Sequence, residues 1–404
     1  MGILKMAWRN IGRNRRRTVV TVAAMAFGLF AMVVWFAMLQ GLLADMERTV
    51  IDVEIGDLQI HAPTYLDDPS LYTRIDDVDA LIPALEAAGF RASPRLVGGG
   101  LAAAGVSAAG ASLQGVNVRA DAGVSAISTR LAEGAWLDED DPFGVVVGRR
   151  LARSLDLEVG GELIVLSQAA DGSIANDLYA VRGILQSVSD GVDRSTVFLN
   201  EAAFRELFVL PSGAHRIVVR KPDDVELPAA VEAVQELAPG LDARSWRTLL
   251  PTLATYLDSA NASMQIVSGV IYIVIAILIL NAMLMAVFER IREFGVLKAL
   301  GVEPRQVVGL IFVESGLQTG LALAAGVALA VPTLWYLVEF GIDTGALGGV
   351  QVLSATFATV WRASVTPATF AAPTANLVVL VLLAVIYPAL KAARISPVEA
   401  MRHQ

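Results

Sequence analysis

Two long stretches of this chain, Thr18–Leu43 and Met264–Phe288, contain no charged residue. A third, Val307–Val338, contains one, Glu314, and a shorter fourth, Ala375–Leu390, contains none. About 20 consecutive apolar residues carry a helix across the hydrocarbon core of a bilayer. The first three stretches meet that length and the fourth is marginal. Lipid offers no hydrogen-bond partner to open backbone, so each crossing has to be helical.

Charge decides which side each connection faces. Asp45–Asn261, between the first two apolar stretches, holds 33 acidic and 17 basic residues. Outside it the balance reverses, and the basic residues cluster in three places. These are the N-terminus (Lys5, Arg9, Arg13, Arg15, Arg16, Arg17), the segment between the second and third stretches (Arg290, Arg292, Lys298, Arg305) and the C-terminus (Lys391, Arg394, Arg402). Positive residues stay cytoplasmic, so both termini and that central segment are expected inside, with the acidic insert outside. Four spans reconcile these sides; three or five do not. The first stretch is longer than a signal-peptide core and no clear small-x-small cleavage site follows it, so it reads as a retained anchor.

The expected architecture is a membrane protein with four transmembrane helices and a large mixed α+β extracytoplasmic domain inserted between the first and second spans. The boundaries expected are 1–17 for an amphipathic interfacial helix, 18–44 for the first span, 45–261 for the domain and 262–288 for the second span. A cytoplasmic helix then occupies 289–306, the third span 307–339, a short periplasmic loop 340–373, the fourth span 374–392 and a C-terminal helix 393–404. Strands are expected at Asp57–His61, Leu113–Val118, Val145–Val147, Glu162–Leu166, Leu178–Leu185, Thr196–Leu199 and Ile217–Arg220. Helices are expected at Asp77–Ala88, Arg149–Leu155, Glu201–Phe208 (capped by Asn200) and Val225–Leu237. Leu96–Gly110 is so rich in Gly and Ala that its pattern assigns no element. Ala169–Asp177 reads as a hairpin tip. Gly316-x-x-x-Gly320 offers a face for close helix approach, and Pro332 a kink.

Several chemistries are excluded. The four lysines are Lys5, Lys221, Lys298 and Lys391, none follows a glycine, and there is no phosphate-binding loop. The chain therefore does not hydrolyse nucleotide by that route. With no cysteine and only His61, His215 and His403, neither a thiolate nor a histidine-rich metal site is expected. Asp138–Asp141 reads as a solvated acidic turn rather than a cation site. Glu314, near the cytoplasmic end of its span, reads as snorkelling or contacting a partner rather than relaying protons.

The central segment, ERIREFGVLKALGVEPRQ from Glu289 to Gln306, is amphipathic. Glu289 with Arg292, and Glu293 with Arg290, support a short helix; Gly301 and Pro304 stop it. Ile291, Phe294, Val296, Leu297 and Leu300 need burial against lipid or in a groove on a partner.

Four blocks carry a family likeness: MAWRNIGRNRRRT (Met6–Thr18), GDLQIHAPTYLDDP (Gly56–Pro69), FERIREFGVLKALG (Phe288–Gly301) and ARISPVEAMR (Ala393–Arg402). Together they resemble FtsX-like permeases, above all the lipoprotein-releasing (LolC/LolE-type) ABC permeases of the MacB-like superfamily. VVVGRRLARSLDLEVGGELIVL (Val145–Leu166) resembles that superfamily's periplasmic core. The resemblance implies a non-enzymatic permease of the bacterial inner membrane that binds no cofactor itself. ATP and Mg would sit on a partner, a cytoplasmic ABC ATPase dimer. A second permease, membrane lipid and a periplasmic carrier or adaptor are the other implied partners; nucleic acid is not. The Ala169–Asp177 tip lacks the proline that tips the carrier-recruiting hook of one lipoprotein-releasing permease, which argues against direct recruitment here.

The residues implied for ATPase coupling are Glu289, Arg290, Arg292, Glu293, Phe294, Gly295, Leu297, Lys298, Leu300 and Gly301. Those implied for a cargo cavity are Trp35, Phe36, Met38, Leu39, Met264, Val267, Val270 and Ile271. The function implied is mechanotransmission, with extraction of a lipoprotein or similar amphiphile. Peptide or drug efflux, and a non-transporting relay to cell-wall hydrolases, are the alternatives.

Overall fold

The computed structural model describes Met6 and residues 15–343, 351–352, 355–356 and 360–394. The expected N-terminal interfacial helix falls largely outside these residues, and the expected helix at Pro397–His403 falls wholly outside them. The chain divides into two compact units. Asp45–Leu257 makes up most of one; the apolar helices make up most of the other.

Four described helices are long and apolar enough to cross a membrane. They run Arg15–Val50, Pro251–Glu289, Pro304–Glu339 and Pro367–Arg394. The first buries Met25, Leu29, Met32, Val33 and Ala37, a helical stripe, in one core shared with Ile275, Ile279 and Met283 of the second, Ala322 and Ala330 of the third and Leu377, Val381 and Val385 of the fourth. The third begins with a capping box: the Glu303 side chain accepts from the backbone of the first turn, and Gln306 reaches back to the Glu303 amide. It runs through Pro332.

Small residues set where these helices touch. A Cβ on Gly326 would lie 2.9 Å from the Ala26 carbonyl oxygen, and one on Gly28 3.1 Å from Ile275. A Cβ on Gly316 or Gly320 would meet nothing within 4 Å. Among the described residues the close approach expected at Gly316-x-x-x-Gly320 is therefore not made; Gly326 makes one. The two glycines instead line an apolar cleft of about 200 Å³ between the third and fourth helices.

In the other unit, strand β1 (Leu58–His61), a helix Val78–Ala87 and β2 (Arg91–Ala104) come first. β3 (Ser107–Val116) through β8 follow: β4 Leu131–Gly134, β5 Gly144–Val147, β6 Glu162–Gln168, β7 Ile174–Leu185 and β8 Thr196–Asn200. The unit closes with β9 (Arg216–Arg220), a helix Leu227–Leu237 and β10 (Asp242–Ser245).

The outer strands lie in the order β10-β1-β9-β2, every pair antiparallel. That is the split βαβ, ferredoxin-like arrangement. Its two helices bury Leu81, Leu85, Ala230 and Val234 against Leu58, Ile60, Ile217 and Val219. The strands between β2 and β9 close on themselves: β2 pairs β3, then β8, β5, β7 and β6 follow, and β6 returns to β2. β4 lies outside this ring as an edge strand on β7, and alternate residues (Leu163 and Val165, Tyr179 and Val181) fill the interior.

The Gly/Ala-rich stretch whose pattern assigns no element is the β2–β3 hairpin. Its composition suits packing rather than propensity. A Cβ on Gly98 would be 2.7 Å from Phe208, and one on Gly115 2.6 Å from Phe204. These stacked rings of the helix Glu201–Phe208 thus lie flat on the strands. That helix is capped by Asn200, whose side chain accepts from the Ala203 amide.

Candidate functional site

Between the second and third apolar helices lies a nine-residue helix, Ile291–Ala299. Its start is a backbone break at Arg290, whose φ and ψ of −107° and 13° are not helical. Its end is a Schellman motif: the Val302 amide donates to the Leu297 carbonyl and the Gly301 amide to that of Lys298. Gly301 sits at φ +91°, a conformation that other residues adopt only with strain.

The helix has two faces. Ile291, Phe294 and Gly295 are buried, and Phe294 joins the core of the apolar bundle. Arg292, Val296, Ala299 and Leu300 are exposed, Val296 by 49% and Leu300 by 77%.

Charged side chains pin the buried face. Arg290 Nε donates to Glu293 at 3.0 Å, and Nη1 to Glu314 of the third helix at 2.6 Å. Its guanidinium also lies 5.2 Å from the Phe294 ring centroid. Lys298 Nζ donates to the carbonyl oxygen of Ala393, near the end of the fourth helix, at 2.6 Å. Lys391 of that helix rests over Phe288, 4.6 Å from the ring centroid.

The residues implied for coupling thus divide. Arg290, Glu293, Phe294, Gly295 and Lys298 anchor the helix, Leu297 packs on the bundle core, and Gly301 ends it. Glu289, Arg292 and Leu300 are exposed. Val296, also outward, is absent from that coupling set although the motif contains it. The signal for it is its spacing: Arg292, Val296, Ala299 and Leu300 fall on one helical face. The signal for the Arg290–Glu314 pair is Glu314 itself, since a lone acid in an apolar segment needs a partner.

The residues implied for a cargo cavity are less uniform. Trp35, Val267 and Val270 are exposed on their helices, Phe36, Met38, Leu39 and Ile271 are half-buried, and Met264 is buried. Met38 and Ile271 pack on the bundle core.

Elsewhere the titratable groups are structural. Asp138 and Asp141 of the acidic turn are held by Arg182 at 2.9 and 3.1 Å. His215 Nδ1 accepts from the Val97 amide, and Nε2 lies 3.2 Å from the Leu71 carbonyl oxygen, so the ring is neutral with its proton on Nε2. Burial pushes both His61 and His215 down to about 4; for His61 the nearby Arg216 adds to the effect. Among the described residues no cluster of three His, Asp or Glu side chains could hold a metal.

Two family models match. The MacB-like periplasmic core domain covers residues 18–237, and the FtsX-like permease C-terminal model covers 265–397. The chain belongs to the MacB/FtsX/LolC-type family of ABC transporter permeases. This permease is a membrane protein with a periplasmic domain. It is 27% identical over 244 residues to an uncharacterized ABC transporter permease of Methanocaldococcus jannaschii, covering 55% of this chain and 59% of that one. To the lipoprotein-releasing system transmembrane protein LolC of Neisseria meningitidis it is 21% identical over 402 residues, covering 96% and 94%. To the macrolide export ATP-binding/permease protein MacB of Chlorobaculum tepidum it is 32% identical over 126 residues, covering 31% and 17%. Among solved structures, the periplasmic region of MacB from Actinobacillus actinomycetemcomitans superposes with a TM-score of 0.37 at 15% identity, covering 49% of this permease and 91% of that chain.

Proposed function

We propose that this permease extracts lipoproteins, or amphiphiles like them, from the outer leaflet of the bacterial inner membrane. The energy comes from ATP and Mg bound by a separate ABC ATPase dimer. The observation that carries the reading is the division of the Ile291–Ala299 helix into a pinned face and a free one. Val296 and Leu300 lie exposed beside Arg292, and a docking helix gives such a mixed apolar and charged face a groove to bury in. The basic clusters put this helix and both termini in the cytoplasm, with the acidic domain, inserted between the first and second spans, in the periplasm. A second permease completes the complex. Trp35, Val267 and Val270, exposed on the first two helices, are the residues that acyl chains meet first.

The likeness to LolC-type relatives over most of the chain supports lipoprotein cargo. Depletion of the permease tests it. Outer-membrane lipoproteins are expected to accumulate in the inner membrane. Normal sorting with altered drug or peptide sensitivity would point to efflux, and normal sorting with lost cell-wall hydrolase activation to a signalling relay.

A further inference from the structure

We propose that Arg290 and Lys298 are positioning residues that make the Ile291–Ala299 helix one rigid body with the third and fourth apolar helices. The inference deepens the docking reading above and rests on it for its link to transport.

Backbone alone cannot carry a push through this segment. The helix is interrupted at both ends, by the non-helical Arg290 and by Gly301 at φ +91°. Either break lets a helix of nine residues pivot. The side chains remove that freedom. Arg290 reaches Glu314, which lies ten residues beyond Pro304 and so about 15 Å along the third helix at a rise of about 1.5 Å per residue. The tie is therefore made well up the shaft rather than at its end, where it resists tilting. Lys298, two turns further along the loop helix, ties to the Ala393 carbonyl of the fourth helix. Two attachments on two different helices leave rotation only about the line that joins them, and Phe294, buried in the bundle core, blocks that rotation.

The Arg290–Glu314 pair also suits a joint that stays closed. The two side chains are 14% and 9% exposed. Opening the pair would strand each charge in a poorly hydrated place, which is far costlier than opening a surface ion pair. The guanidinium is held in position from two further sides, by Glu293 and by the Phe294 ring. Its flat, forked shape suits such a shared seat, and a lysine does not reproduce it. A push delivered to Val296 and Leu300 then moves the third and fourth helices directly.

The test uses the full permease with its ATPase in nanodiscs. The chain has no cysteine, so spin labels at Ala299→Cys and Leu329→Cys, read in the permease before the ATPase is added, report one distance between the loop helix and the third helix, and coupling is measured on unlabelled protein. That distance distribution is expected to be narrow, to broaden in Arg290→Met, and to broaden less in Arg290→Lys, which keeps the charge but not the fork. Cargo released per ATP hydrolysed is expected to fall roughly tenfold in Arg290→Met, with the ATPase still bound, and by less in Arg290→Lys. An unchanged distance distribution in Arg290→Met overturns the joint, as does coupling retained in Arg290→Met while the distribution broadens. Release of the ATPase by Arg290→Met also overturns it. Leu300→Asp separates the two readings: if it leaves the ATPase bound, docking at this face is wrong, and the distance measurement still judges the joint.

Discussion

The exposed face of the Ile291–Ala299 helix makes a quantitative prediction. Leu300 is 77% exposed and Val296 is 49% exposed, so neither contributes much to the fold of the permease. Burying an aliphatic side chain at an interface contributes roughly 1.5–3 kcal/mol. Leu300→Ala removes most of one such side chain, so the loss is about 1.5–2 kcal/mol, roughly 10–30-fold in Kd for the ATPase. Val296→Ala removes less and costs roughly threefold. Phe294→Ala is the contrast, because Phe294 is only 3% exposed and sits in the bundle core. It is expected to destabilise the permease by about 3–5 kcal/mol. The assay titrates labelled ATPase onto nanodisc-bound permease at constant ionic strength, with thermal unfolding of each variant measured alongside. Leu300→Ala should weaken binding while leaving unfolding unchanged. Binding within twofold of wild type for both alanine variants would refute the assignment of the two faces.

Three further outcomes follow from the packing and the buried charges. A Cβ on Gly41 would lie 2.0 Å from the Arg362 carbonyl oxygen, where the Ser364 amide donates to Ala37, so Gly41→Val should lower the unfolding temperature by overpacking worth about 1–3 kcal/mol; an unchanged melt would remove that contact from the account. Arg95 and Asp121 form a fully buried pair at 2.8 Å, and Arg95→Met should destabilise the periplasmic domain by roughly 3–5 kcal/mol, read by hydrogen exchange in β2. His61 and His215 are buried neutral with values lowered to about 4, so their stabilisation is complete above the unfolded value near 6.5 and is lost as pH falls from there toward 4. Each contributes roughly 3 kcal/mol at most, and His61→Phe should flatten that part of the pH–stability curve.

How much of the fold is legible in the sequence depends on how strong each physical signal is. A long apolar stretch admits one solution in lipid, even where it carries the single Glu314, so the four helices stand out from their residues alone. Asn200 before Glu201 announces a cap, and the helix does run Glu201–Phe208. Most of the β2–β3 hairpin stays hidden because its glycines and alanines have little strand preference; Gly98 and Gly115 are small because Phe208 and Phe204 need the space, and those rings are about a hundred residues away in sequence. The loop helix is visible as an amphipathic segment, but its motif does not separate anchors from docking residues. That division depends on Glu314 and Ala393, which lie on two other helices. Gly316 and Gly320 mark the opposite failure, a recognisable spacing with none of the described residues within close reach of it.

The central claim is that a separate ATPase drives this permease through the outward face of the Ile291–Ala299 helix. Because the chain has no cysteine, a single thiol can carry a photo-activated cross-linker at a chosen place in the native complex. Leu300→Cys is predicted to yield a permease–ATPase adduct, and Leu329→Cys, exposed on the third helix, none. An adduct from neither position, or an equal yield from both, would contradict the account.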